Sequence, residues 1–235
     1  RGRQFPNLIV VNVNSSVGAV LFPKMSEEQD DTKRIKETCR MSIRFSSFVM
    51  MPLMMGLAAC GEPLIRLLLT DKWIECVPFL QLFCIIYMFY PIHTANMQAI
   101  KALGHSGTFL KLELLKKIIE IICLVLVMKI SVIAIAVNMA VLTTLFTFIN
   151  AFPNIKYLNY SFIEQIKDIA PPIAMSTIMA VAVYYLGQML SFPDYFDLLI
   201  QIVVGISIYA TLSILTKNAE MKFIIKLLFK NKLHG

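Results

Sequence analysis

The feature that most constrains this chain is a succession of apolar runs about twenty residues long, the length at which a helix crosses ~30 Å of hydrocarbon. Seven such runs lie at about Phe5 to Pro23, Ile43 to Cys60, Val77 to Ile100, Phe109 to Met128, Ser131 to Phe152, Ala170 to Leu190 and Leu198 to Thr216. A water-soluble domain has no place for them. Of the 235 residues 57% are hydrophobic and 16% charged, against roughly a quarter charged in an average globular protein. The expected fold is all-α and integral to a membrane, with about seven transmembrane helices. The first run, with Asn7, Asn12 and Asn14, and the fourth, which opens on Lys111, Glu113, Lys116, Lys117 and Glu120, are the most polar.

The basic residues between the runs test that count, because a wrong number of spans would scramble any difference between the two sides. The first, third and fifth connections and the tail hold seventeen of the 22 Lys and Arg. The second, fourth and sixth contribute Lys72 and Lys129, with Arg1, Arg3 and Arg66 as the remainder. By the positive-inside rule the tail and the odd connections are cytoplasmic, which leaves Arg1 and Arg3 on the outer side, against the trend. The net charge of +7 is then topological. The cations flank apolar runs instead of forming one basic face, so no nucleic-acid partner is expected.

The chain begins with Arg1 and enters an apolar stretch by Phe5 without a charged leader and cleavage site, which reads as a fragment. Cys39, Cys60, Cys76, Cys84 and Cys123 are odd in number and include no Cys-x-x-Cys pair, so free thiols are expected instead of a disulfide framework or zinc site. Ser26-Glu27-Glu28-Gln29 has the form of a capping box, and Lys33, Arg34, Lys36 and Arg40 follow it as a solvated helix. Gly61-Glu62-Pro63 breaks the second span, and Leu64 to Leu69 is too short to cross, so it should lie at the outer interface with Trp73 as an anchor. Residues 217–235 form a basic amphipathic tail, with Lys222, Lys226 and Lys230 opposite Phe223, Ile224, Leu227 and Leu228. Such a helix is drawn to anionic membrane lipid by ~1 kcal/mol per cation.

Polar groups inside a span tend to mark pathways. Arg3, Asn7 and Asn14 lie close to one helical face, and guanidinium and amide donors suit phosphate and sugar hydroxyls. The same amides could equally hydrogen-bond across a helix interface. In the third run Pro91 removes a backbone hydrogen bond and invites a hinge, while His93 is either a proton-coupling group or a packing residue. In the fourth, Lys116 stands one turn from both Glu113 and Glu120. Lys111 and Lys116 are either a cationic inner mouth for a phosphate-bearing lipid or the plain cytoplasmic end of a span. No hydrolase, P-loop or dinucleotide motif occurs, so an enzyme is not expected, nor a cofactor or metal.

An ordered set of short motifs follows: Arg3-x-x-Pro6, Val20-Leu21-Phe22-Pro23-Lys24-Met25-Ser26, Gln29-Asp30-Asp31, Pro52-Leu53-Met54-Met55-Gly56-Leu57, Glu62-Pro63-Leu64-Ile65, Asp71-Lys72-Trp73, Val77-Pro78-Phe79-Leu80-Gln81-Leu82 and Lys101-Ala102-Leu103-Gly104. Together these resemble the polysaccharide transporter, or O-antigen and exopolysaccharide flippase (Wzx-like), branch of the multidrug and oligosaccharidyl-lipid exporter superfamily. The match runs from about Arg3 to Lys117, with Asp71 where the family usually has Gly.

The resemblance implies a two-lobed protein of 12–14 spans that flips undecaprenyl-diphosphate-linked oligosaccharide across the bacterial inner membrane by alternating access. This chain would be most of the second lobe, ending in the cytoplasm, with an N-terminal lobe missing. By position Arg3 is the best match for a cavity residue that holds the diphosphate, with Lys111 and Lys116 weaker. Proton or sodium coupling is a further implication. The competing readings are a multidrug exporter coupled to cations, which calls for a buried acidic residue, and a structural membrane subunit that transports nothing.

Overall fold

The computed structural model describes residues 1–190 and 192–222. All regular structure in them is helical: α1 (Gln4–Glu27), α2 (Thr32–Ala59), α3 (Gly61–Leu69), a 3-10 segment (Asp71–Cys76), α4 (Val77–Met88), α5 (Tyr90–Ala102), α6 (Ser106–Val127), α7 (Val132–Leu158), α8 (Phe162–Met189) and α9 (Asp194–Leu215). Among the described residues six helical segments are long and apolar enough to cross a membrane: α1, α2, the stretch Asp71–Ala102, α7, α8 and α9. The chain is therefore a multi-pass membrane protein. The fourth apolar run lies on α6, whose 22 residues reach ~33 Å, but its five charges keep it out of that set of six.

The ends of the helices follow from local chemistry. Asp31, not Ser26, caps α2: its carboxylate accepts from the backbone N–H groups of Lys33 and Arg34 at 3.0 and 3.2 Å. Ser26 is unsuited because α1 continues to Glu27 and holds it within a helix. Ser131 caps α7, and Ser161 with Glu164 forms a full capping box at α8. Gly104, at φ +77°, takes the left-handed conformation that turns α5 into α6. The third run is broken at Phe89, between α4 and α5, with Pro91 in the first turn of α5 where its missing N–H costs least.

Helix α2 is the hub, packing against α1, α4, α5 and α8, while α9 attaches through α8. Its buried Met50, Met51 and Met54 meet Leu80, Ile92 and Tyr160 in the main core. A second cluster of Phe48, Met175, Met179, Val183 and Tyr209 ties α8 and α9 to it, and the Tyr209 hydroxyl donates to the Phe48 carbonyl at 2.8 Å. Lys116 is the only buried residue of α6, whose Leu110, Leu114, Leu115, Ile118, Ile121 and Ile122 face outward. In hydrocarbon that exposure carries no hydrophobic penalty.

Lys36 and Arg40 are only partly solvated, less than the sequence suggested, because α8 brings carboxylates against them. Lys36 Nζ lies 3.1 Å from Glu164 and also donates to the Asn159 carbonyl at 2.6 Å. Arg40 grips both oxygens of Asp168 at 2.7 and 3.0 Å, and Tyr160 donates to the same carboxylate at 2.8 Å. Arg44 pairs with Glu220 at 2.7 Å. These contacts gather the α1–α2 and α7–α8 turns and the segment after α9 at one basic end. Of the proposed tail only residues 217–222 are described. Phe223, Ile224, Lys226, Leu227, Leu228, Lys230 and Lys232 lie outside the described residues.

Candidate functional site

The broken helix α4–α5 carries a ladder of rings, Phe83, Tyr87, Tyr90 and His93, with successive centroids 6.0, 5.7 and 6.1 Å apart. Its two ends meet the two groups of polar residues picked out from the sequence. At the first, Arg3 Nε donates to the Tyr87 hydroxyl at 2.7 Å and the guanidinium lies 5.8 Å from the Phe83 ring. Tyr87 in turn donates to Asn7 at 3.3 Å, and farther along, next to His93, Thr94 donates to Asn14 at 2.7 Å. Asn7 and Asn14 thus hydrogen-bond across a helix interface, the second of the two roles left open by their spacing. Arg3 remains exposed, so its charge is available to a ligand while Tyr87 fixes its direction.

At the other end of the ladder is a cleft of about 130 Å³ between α5, α6 and α7, lined by Tyr90, His93, Glu113, Lys116, Lys117 and Thr147 among others. The Lys116 side chain is 6% exposed and pairs with Glu113 on its own helix. A lysine so placed is costly in a span unless paired, and the i, i+3 carboxylate lowers that cost. Glu120 pairs with Lys117 at 2.5 Å, not with Lys116 as its spacing also allowed. The amide of the fully buried Asn150 contacts His93 Nδ1, and Asn150 Oδ1 has no partner among the described residues. Deeper toward the basic end Asn96, Asn154 and Gln165 join α5, α7 and α8, with Asn154 donating to Asn96 Oδ1 at 2.7 Å and Asn96 to Gln165 at 3.0 Å.

Arg3 and Lys116 therefore sit on opposite sides of the α4–α5 break, joined only through the ring ladder. Lys111 is exposed on α6 outside the cleft, and Pro91 is buried at the break itself. Tyr87, Tyr90, Thr147 and Asn150 are the site residues that sequence reasoning missed. The aromatic spacing from Phe83 to Tyr90 was the one available signal; nothing local marks Asn150 as the neighbour of His93, 57 positions away. Among the described residues no three His, Cys, Asp or Glu side chains are grouped to hold a metal ion. The cleft holds two lysines, each paired with a carboxylate, beside uncharged hydroxyl and imidazole groups, so its charge is balanced until one of those pairs opens.

A protein-family profile described as "Polysaccharide biosynthesis protein" matches residues 1–78. An uncharacterized membrane protein from the cps region of Klebsiella pneumoniae is 32% identical over 73 residues, 31% of this chain and 15% of that protein. The lipopolysaccharide biosynthesis protein WzxC of Escherichia coli strain K12 is 22% identical over 182 residues, 77% of this chain and 37% of WzxC. Among solved structures, the lipid II flippase MurJ in an inward closed conformation superposes with a TM-score of 0.72 at 19% identity, over 92% of this chain and 47% of MurJ. This last likeness is one of fold. The chain spans less than half the length of each of these proteins.

Proposed function

From a chain that resembles polysaccharide and lipid-linked flippases in sequence and has the fold of one, we propose that it is the second lobe of a transporter that flips undecaprenyl-diphosphate-linked oligosaccharide repeat units across the bacterial inner membrane. A first lobe, from the rest of a longer chain, would face α1 and complete the cavity. The basic end is cytoplasmic in this reading, because that is the side on which Lys and Arg collect.

The observation that carries the proposal is Lys116: a lysine held inside a membrane lobe, beside a cleft and next to a helix break. Arg3 holds the diphosphate at one stage of the cycle and Lys116, on the other side of the break, at another, with Lys111 at the mouth, while Asn7 and Asn14 set the packing that aims Arg3. The break at Phe89 and Pro91 is where the helix bends as the lobes rock, and His93 is the candidate proton-coupling group. Carrying the charged headgroup through a protein cavity while the polyprenyl tail stays in lipid avoids the cost of a bare charge in hydrocarbon.

The test is flipping of a fluorescent undecaprenyl-diphosphate oligosaccharide by the full-length protein in vesicles. Lys116→Gln or Arg3→Gln removes a charge-assisted contact of ~1.5–3 kcal/mol, so flipping falls roughly 10-fold or more with folded protein unchanged. Flipping that survives in Arg3→Gln, Asn7→Ala and Lys116→Gln alike defeats the assignment. The multidrug alternative calls for an acidic group in the cavity free to bind cations; in the lysine cleft Glu113 and Glu120 are taken by Lys116 and Lys117.

A further inference from the structure

A larger cleft than the one beside Lys116 is also present. It lies at the end opposite the basic one, between α3, α8 and α9, with a volume of about 380 Å³, and its walls include Glu62, Arg66, Gln188, Asp194, Asp197 and Gln201. Three carboxylates face one guanidinium there. Arg66 is committed to Glu62 at 2.8 Å and to Asp71 at 3.7 Å. No ion pair is formed by Asp194 or Asp197 among the described residues, so the cleft is left net negative.

Two buried oxygens in the same wall have no hydrogen-bond partner among the described residues: Oδ1 of Asp197 and Oε1 of Gln201. They stand four residues apart, on successive turns of one face of α9. Gln201 is 3% exposed, and it is held in place from behind. A Cβ built on Gly187 of α8 would fall 2.3 Å from Gln201 Nε2 but 3.7 Å from Oε1. The Gln201 amide thus lies against Gly187 of α8 with its nitrogen nearest, and a side chain at Gly187 would have to displace it.

Both unmatched atoms are oxygens and the surroundings are anionic, a combination that suits a hard cation. We propose that Asp197 and Gln201, with Asp194, bind a hydrated Mg²⁺ ion at this end of the α8–α9 pair. Two carboxylates and a carboxamide are too few for a dehydrated Ca²⁺ cage, which takes about six to eight oxygens. They suit Mg²⁺, which keeps several of its waters and is usually held by one or two carboxylates. The bound ion bridges the start of α9 to α8 and neutralises carboxylates that would otherwise repel one another. This site is independent of the flipping reading and of the lysine cleft.

The test uses the purified full-length protein in detergent, stripped with chelator, with Mn²⁺ as the paramagnetic probe and Mg²⁺ as competitor. One saturable Mn²⁺ site per chain is expected, displaced by millimolar Mg²⁺ and weakened about tenfold or more by Asp197→Asn and by Gln201→Leu. Glu37→Gln, at the opposite end, retains it. Mg²⁺ also raises the unfolding temperature of the parent and not of Asp197→Asn, which separates lost binding from lost folding. No saturable Mn²⁺ binding, binding in both α9 variants as tight as in the parent, or stabilisation by Na⁺ with none by Mg²⁺ overturns the proposal.

Discussion

Replacing Arg40 by Gln strands a carboxylate. The Asp168 side chain is 5% exposed, and it receives two hydrogen bonds from Arg40 and one from Tyr160. Hydrogen bonds to a charged group are worth ~1.5–3 kcal/mol, and removing one partner of a fully buried pair costs ~3–5 kcal/mol. The Arg40 side chain is 42% exposed, so water reaches that flank and the lower figure applies, about 2 kcal/mol. Asp168→Asn costs less, about 1 kcal/mol, since the guanidinium it releases turns to solvent. The double variant should then show a coupling of about 1 kcal/mol. For a chain of this size each kcal/mol moves the unfolding midpoint ~2–4 °C, so Arg40→Gln lowers it by ~4–8 °C. The assay is thermal unfolding of the four proteins in one detergent. Additivity within ~0.3 kcal/mol would refute the claim that these two residues act as a unit.

Asp31→Ala removes the cap of α2 and lowers stability by about 1 kcal/mol, read as an earlier unfolding transition; Ser26→Ala, by contrast, leaves it unchanged. Gly187→Ala drives a Cβ against the Gln201 amide and costs ~1–3 kcal/mol, an effect that Gly187→Ala combined with Gln201→Ala relieves. Maleimide labelling of the folded protein modifies Cys76, which is half-buried, and spares Cys39 and Cys84, which are fully buried; uniform labelling of all three would contradict the packing around α2 and α4.

What the sequence made legible is what depends on neighbours along the chain. Apolar length predicts membrane helices, and Pro91 marks the break that separates α4 from α5. What escaped depends on partners distant in sequence. Lys36 and Arg40 look like a solvated basic face because Glu164 and Asp168 stand 128 positions away, and no local pattern records that α8 lies beside α2. The cap of α2 was misplaced for a related reason. Ser26 and Asp31 are both good capping residues, and the choice between them was made by α1 running on past Ser26. Arg3, Asn7 and Asn14 were visible as a polar face, but the hydroxyls of Tyr87 and Thr94 that occupy them belong to helices whose approach is tertiary.

The pairing of α2 with α8 has a repeat built into it. Lys36, Arg40 and Arg44 recur every four residues on one helix, Glu164 and Asp168 every four on the other, and each of the two α2–α8 pairs spans the same 128 positions. The helices run in the same direction away from the basic end, so the two rows of charges match like a rack against its own copy. A slide of one helical turn, ~6 Å, sets Arg40 opposite Glu164 and Arg44 opposite Asp168 once Glu220 lets go. The ion pairs alone would fit either position, and the packing of Phe48 against Met175 and Met179 is what selects the first.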